Sequence, residues 1–230
     1  MHPTKLSQRI IDRAIEQRRA LHPLADFDPA RSALLVVDMQ DFFIDMVPGA
    51  RAIVDNINRL AKSIRLGGGR VVWIKMTVDA SDADSWSHFY SRLLSQEGTD
   101  AHFDRLKRDA DPWQIWHELN VRDVDWQVEK NRFSAFIQGS SNLEQRLREH
   151  DVDTVLVAGT VTNVCCESTA RDAMMLNFAT IIVSDACAAL DDEAHIATLN
   201  NFQTIFGDVL SVDEILAGIE RTVQLSRASL

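Results

Sequence analysis

Cysteine is scarce in this sequence: 230 residues hold three, Cys165, Cys166 and Cys187, two of them adjacent. So sparse and odd a set builds no disulfide framework and suits a reducing compartment, so a cytoplasmic location is expected. There is no Cys-x-x-Cys, and adjacent cysteines make no easy resolving pair, which argues against a thiol redox enzyme. Basic charge is short too. Twenty-four Lys and Arg face 34 Asp and Glu, a net charge of −10, where a nucleic-acid binder needs a basic stripe. The five tryptophans therefore fit core and pocket walls better than base stacking. No apolar run approaches the ~20 residues that span a bilayer, so no membrane segment is expected. The opening Met1-His2-Pro3-Thr4-Lys5 lacks the apolar core of a signal peptide. His88, His102 and His117 are irregularly spaced, with no His-x-His pair to suggest a metal. Gly67-Gly68-Gly69 precedes a strand instead of opening a helix, the wrong context for a dinucleotide fingerprint. There is no long-period repeat and no low-complexity segment.

What is present is ordinary for a globular chain: 46% hydrophobic and 25% charged residues. A chain of this size buries roughly 70–75% of its unfolded surface, so one core suffices without staples. Residues 5–20 place Leu6, Ile10, Ile11, Ala14 and Ile15 at helical spacing. This predicts an amphipathic helix that packs on the main body or on another subunit, and a homo-oligomer is expected. Asp28-Pro29 then breaks the chain. Short apolar runs follow at 33–38, 70–75, 153–158 and 180–183, with weaker ones at 126–129 and 209–211. Helical patterns at 51–66, 141–149, 163–176 and 191–203 separate most of them. Alternating strand and helix predicts a three-layer αβα domain, a doubly wound α/β fold on a mostly parallel six-stranded sheet. Residues 1–24 read as a helical extension and 25–230 as a single domain. Residues 79–118, rich in Asp, Ser, His and aromatics and without clean periodicity, read as an insertion forming a lid or pocket wall.

In open parallel sheets ligands bind beyond the carboxyl ends of the strands. Three such ends carry chemistry here. The first strand delivers Asp38, the weak one Lys130, and Gly159-Thr160-Val161-Thr162-Asn163-Val164-Cys165-Cys166 leads from a strong strand into a helix. A thiolate is the competent nucleophile, and a helix start and a nearby ammonium both favour it. A carboxylate can accept the thiol proton and return it to a leaving nitrogen. The unpaired N–H of Cys165 can serve an oxyanion. Acids, lysines and inert buried cysteines also occur at strand ends of any α/β protein, so the spacing alone leaves both readings open.

Several stretches resemble the isochorismatase-like cysteine hydrolases. Leu35-Val36-Val37-Asp38-Met39-Gln40 is similar to that family's opening strand and catalytic aspartate, and Glu129-Lys130-Asn131-Arg132-Phe133-Ser134-Ala135-Phe136 to the segment with its catalytic lysine. Ala158-Gly159-Thr160-Val161-Thr162-Asn163-Val164-Cys165, then Glu167-Ser168-Thr169-Ala170-Arg171-Asp172-Ala173, resembles its nucleophile motif. Ser184-Asp185-Ala186 and Phe206-Gly207-Asp208-Val209 match weaker landmarks. The resemblance runs from about residue 31 to 220, leaving the N-terminal helix and an insertion at 79–111 outside it. It implies a catalytic triad of Asp38, Lys130 and Cys165, and a cis Thr160–Val161 peptide that turns the Val161 N–H towards substrate beside that of Cys165. It also implies attack through a Cys165 thioester.

Members that open the vinyl ether of isochorismate generally lack the cysteine, so Cys165 implies cleavage of a carbon–nitrogen bond. The nicotinamidase branch carries Asp-x-His after its second strand, where this chain reads Asp79-Ala80-Ser81. No metal or other cofactor is therefore expected. Thr162-Asn163-Val164-Cys165 through Arg171-Asp172 is most similar to ureidoacrylate hydrolases, with biuret and triuret hydrolases as relatives. The implied substrate is a small ureido or carbamoyl compound, contacted by Phe43, Phe136 and Asn163. The alternatives are another small linear or cyclic amide, as in a metal-free nicotinamidase-like enzyme, or a non-catalytic ligand-binding relative. Cys166 and Cys187 are expected in the core, and Arg171 with Asp172 as a structural ion pair. His195 is expected to be structural, a Cys–His dyad being the alternative.

Overall fold

The apolar runs become strands buried on both faces, which is why they read as unbroken stretches and do not alternate. The computed structural model describes residues 1–228. In chain order it contains α1 (Gln8–Arg18), β1 (Ser32–Val37), α2 (Asp41–Met46), α3 (Val54–Leu66) and β2 (Arg70–Met76). Next come α4 (Asp82–Ser85), α5 (Gln96–Arg105), β3 (Trp126–Lys130), α6 (Leu143–Glu149) and β4 (Thr154–Thr160). The last are α7 (Glu167–Met175), β5 (Ala179–Ala188), α8 (Asp192–Ile205), β6 (Asp208–Leu210) and α9 (Val212–Ala228). The six strands lie in the order β3-β2-β1-β4-β5-β6, and every neighbouring pair is parallel. The three-layer architecture is as the sequence implied, with a sheet wholly and not just mostly parallel.

Residues of β1 divide by parity between two cores. Leu34 and Val36 pack with Ile57, Leu60 and Ile64 of α3 and Ile215 and Ile219 of α9. Ala33, Leu35 and Val37 face Leu147 of α6, Ala170 and Ala173 of α7, and Leu199 and Phe202 of α8. Each large aliphatic side chain so buried contributes about 1.5–3 kcal/mol. Gly69 ends the α3–β2 turn for a packing reason: a Cβ there would lie 2.4 Å from the Pro29 carbonyl oxygen. Helix α1 packs on the chain's own body. It buries Ile10 and Ala14, and contacts to the α8–β6 region anchor it: Ser7 N–H donates to Asn200 Oδ1 at 3.0 Å and Arg18 to the Gly207 carbonyl at 2.8 Å.

Three parts depart from the sequence reading. Helix α9 was not anticipated, although Ser211-Val212-Asp213-Glu214 carries its start signal. There the Ser211 N–H donates to Glu214 Oε2 at 2.7 Å, the Glu214 N–H donates back to Ser211 Oγ at 3.3 Å, and Asp185 Oδ1 accepts the Val212 N–H at 2.8 Å. Strand β5 runs on to Ala188, past the polar Ser184-Asp185 at which the apolar run stops. The 79–118 stretch is not irregular: it forms α4, a π-helical turn (Phe89–Leu93), α5 and a 3-10 turn (Asp111–Trp113). Helix α4 is one turn long and α5 buries no residue, so neither leaves an amphipathic stripe to read. Among the described residues no helix is long and apolar enough to cross a membrane.

Candidate active site

Strands β1 and β4 are neighbours in the sheet but not in the chain, and the connections beyond them leave towards opposite edges. Such a switch point opens a crevice at the carboxyl ends of its two strands. Asp38 follows β1 directly and the Cys165 turn follows β4. Lys130, the last residue of β3, lies two strands from β1, and its long stem spans the gap. Its Nζ donates to Asp38 Oδ2 at 2.7 Å and lies 3.5 Å from Cys165 Sγ. Nζ also meets the Arg132 carbonyl at 3.1 Å and Met76 Sδ at 3.6 Å. The structure thus brings all three sequence-predicted groups together, and it buries them: Asp38 is 0%, Lys130 1% and Cys165 3% exposed.

The backbone around them is tightly specified. Asp38 adopts φ +50°, uncommon for a side-chain-bearing residue. Its N–H donates to the Ile74 carbonyl at 2.9 Å and its carbonyl accepts Thr160 Oγ1 at 2.7 Å. Gly159 has φ +113°, and a Cβ there would sit 2.1 Å from the Val37 carbonyl oxygen, so only glycine lets β1 and β4 approach at this level. Gln40, two residues after Asp38 and not among the expected site residues, ties three segments together. Its Nε2 donates to the carbonyls of Met76 (3.1 Å) and Trp113 (2.9 Å), and its Oε1 accepts the Met76 N–H at 2.8 Å.

The Thr160–Val161 peptide is cis. Beyond it the segment read as one helix from 163 is a π-helical turn (Thr162–Cys166) that leads into α7. The Val161 carbonyl accepts N–H groups from Val164 (3.0 Å) and Cys166 (3.2 Å). His195, fully buried, pairs through Nδ1 with Thr162 Oγ1 at 2.9 Å and stacks on His2 with ring centroids 4.9 Å apart. It braces this turn, as a structural histidine would. Burial holds its ionisation down, to about 4.

Electrostatics correct one expectation. Burial lifts the Asp38 carboxyl above the ordinary carboxylate range, with Lys130 and Cys165 pulling it back only in part. Burial works against the Lys130 ammonium, but Asp38 and Cys165 more than offset it, and Lys130 stays cationic. Burial also pushes the Cys165 thiol up, Asp38 opposing thiolate and Lys130 favouring it. The resting sulfur is therefore a thiol, not the thiolate that the helix start and ammonium suggested. Moving its proton to Asp38 leaves the net charge of the trio unchanged, so the cost of burial does not bar that step. Asp38 Oδ1 has no hydrogen-bond partner among the described residues, whereas Oδ2 is held by Lys130.

The remaining predicted residues fall in different places. Asn163 is exposed on the turn, two residues before Cys165. Phe43 is buried on α2, its ring edge-on to Phe42 at 5.0 Å. Phe136 is buried in the same apolar cluster as Cys165, its ring 5.7 Å from Phe178, and it borders a surface cleft with Ile137, Gln138 and Leu176. Cys166 and Cys187 are in the core as expected. Arg171 pairs with Glu167 one helical turn away (Nε–Oε1 2.9 Å) and not with adjacent Asp172, because positions i and i+1 diverge on a helix. Aromatic residues of the insertion cluster against the loop that follows Lys130. Trp86 stacks on Phe89 at 4.3 Å and meets Phe133 edge-on at 4.9 Å, three positions beyond Lys130.

Residues 32–214 match the family model described as the isochorismatase domain. The ureidoacrylate amidohydrolase RutB of Klebsiella variicola is 29% identical over 220 residues, covering 88% of this chain and 92% of that protein. A cysteine hydrolase from Pseudomonas syringae pv. phaseolicola superposes with a TM-score of 0.73 at 30% identity, over 86% of this chain and 96% of that one. The N-carbamoylsarcosine amidase of Thermoplasma acidophilum does so with a TM-score of 0.63 at 27% identity, over 80% and 97%.

Proposed function

The chain belongs to the isochorismatase family and is a hydrolase acting on carbon–nitrogen bonds, and from that premise we propose that it cleaves small ureido or carbamoyl compounds through a thioester on Cys165. The convergence of Asp38, Lys130 and Cys165 carries this reading, with one ammonium 2.7 Å from the carboxylate and 3.5 Å from the sulfur. Asp38 takes the thiol proton as Sγ bonds to the substrate carbonyl carbon. The N–H groups of Val161 and Cys165 receive the developing oxyanion, where preorganised donors matter most. Collapse of the tetrahedral intermediate breaks the carbon–nitrogen bond, and Asp38 gives its proton to the departing nitrogen. Water then loses a proton to Asp38 and attacks the thioester, and Cys165 leaves as a thiol once that proton returns. Lys130 keeps its charge throughout and holds both partners in register.

The substrate class rests on similarity to enzymes named for ureidoacrylate and N-carbamoylsarcosine. Asn163, exposed beside the nucleophile, Phe43 on α2 and Phe136, in the apolar cluster with Cys165, are the residues proposed to meet the acyl side, with Trp86, Phe89 and Phe133 as the wall. The test is ammonia release from biuret, triuret, ureidoacrylate and simple primary amides by the wild type and by Cys165→Ser. Release from a ureido compound that vanishes in the variant is expected. Equal activity of the two proteins, or equal inactivity across the whole set, would remove the proposal's support.

A further inference from the structure

The hold on the Lys130 ammonium includes one backbone group, the Arg132 carbonyl at 3.1 Å. That carbonyl belongs to a loop outside regular structure, so something else must keep it in place. The tether comes from the insertion. Asp82, the first residue of α4, is 1% exposed. Its Oδ1 accepts from Asn131 Nδ2 at 3.0 Å and from Arg132 Nη1 at 3.1 Å, and its Oδ2 accepts the Asp79 N–H at 3.0 Å. Ser85, at the other end of α4, accepts from Arg132 Nη2 through its carbonyl at 3.2 Å and its hydroxyl at 3.0 Å. The same guanidinium lies 5.0 Å over the Trp86 ring, which abuts Phe133. Charge-assisted bonds to a desolvated carboxylate are among the stronger and more directional contacts a protein makes.

We propose that Asp82 is a positioning residue for Lys130: by fixing Asn131 and Arg132 it presses the Arg132 carbonyl onto the ammonium, so that seating the insertion and aligning the Asp38–Lys130–Cys165 trio are one event. The proposal rests on the reading of Lys130 as the group that registers nucleophile and base. The charged and titratable groups facing Lys130 are Asp38 from the end of β1, Cys165 from the turn after β4 and, at longer range, His102 of α5. Those facing Asp82 are Arg132 and, at longer range, Tyr90.

The test reads the ammonium itself and needs no substrate. In protein labelled with 15N-lysine, Lys130 Nζ is buried and hydrogen-bonded, so its protons exchange slowly and give a signal, assigned by its loss in Lys130→Arg. The backbone amide of Lys75, inside β2, is labelled as well and serves as the internal control. Lys5, Lys62 and Lys107 are exposed. In Asp82→Ala the Lys130 ammonium protons should exchange at least about tenfold faster, the equivalent of one charged hydrogen bond, while the Lys75 amide signal stays as in the wild type. Asp82→Glu should restore part of the protection, and Asp82→Asn should fall between if the alanine variant folds poorly. Unchanged Lys130 exchange in Asp82→Ala and Asp82→Asn would overturn the proposal, as would equal acceleration at Lys75, which would mark a general loosening. Failure of ammonia release in the wild type would sink the proposed function and leave this measurement standing.

Discussion

Replacing Lys130 with methionine keeps most of the side-chain volume and removes the charge, leaving Asp38 buried against no counter-ion. Both side chains of this pair are fully shielded from solvent at 2.7 Å. Breaking a buried pair from one side costs about 3–5 kcal/mol, because the surviving charge is left uncompensated. A domain of this size loses about 2–4 °C of melting temperature per kcal/mol, so a drop of roughly 6–20 °C is expected at pH 7. The loss should shrink as pH falls. Asp38 already sits above the ordinary carboxylate range through burial, and without Lys130 it rises further. A folded-state value raised above the unfolded one stabilises below the unfolded value and loses that contribution as pH climbs, so acid relieves the variant. Lys130→Met/Asp38→Asn should recover most of the stability at pH 7. Urea unfolding of the wild type, both single variants and the double variant at pH 7 and 5 provides the cycle. A single variant within about 1 kcal/mol of wild type, the range of an exposed pair, would refute the reasoning.

Gly159→Ala should destabilise by about 2–6 kcal/mol, combining a strained positive φ with overpacking of Val37; urea unfolding showing under about 1 kcal/mol would mean β1 and β4 separate easily. His195 is held to about 4 against 6.5 in the unfolded chain. Its stabilising contribution is therefore whole above pH 6.5 and drains away as pH falls towards 4. Thermal melts of His195→Gln should show a flatter decline over that window, and an unchanged slope would show that another group sets it.

The parts legible in sequence were those whose burial is symmetric. β1, β2 and β4 sit mid-sheet, so their residues are apolar on both faces and the runs stand out. The end of β5 did not, because Ser184 and Asp185 are polar for a packing purpose, holding β6 and the start of α9. The short helices of the insertion were hidden because they bury little. The site divides in the same way. Asp38, Lys130 and Cys165 could be placed because strand ends of a parallel sheet meet in space and their motifs are long. The state of the sulfur could not, since burial outweighs the helix start and ammonium and is visible only in three dimensions. The Arg132 carbonyl left no trace, because any residue offers one.

Acid-quenched mass spectrometry of the enzyme mixed with the ureido compounds bears most directly on Cys165 as the attacking group. The account predicts a mass increase equal to the acyl fragment on the peptide containing Cys165, resolved from Cys166 by fragmentation, and none in Cys165→Ser. Turnover with the adduct on another residue, or full turnover by Cys165→Ser, would contradict it.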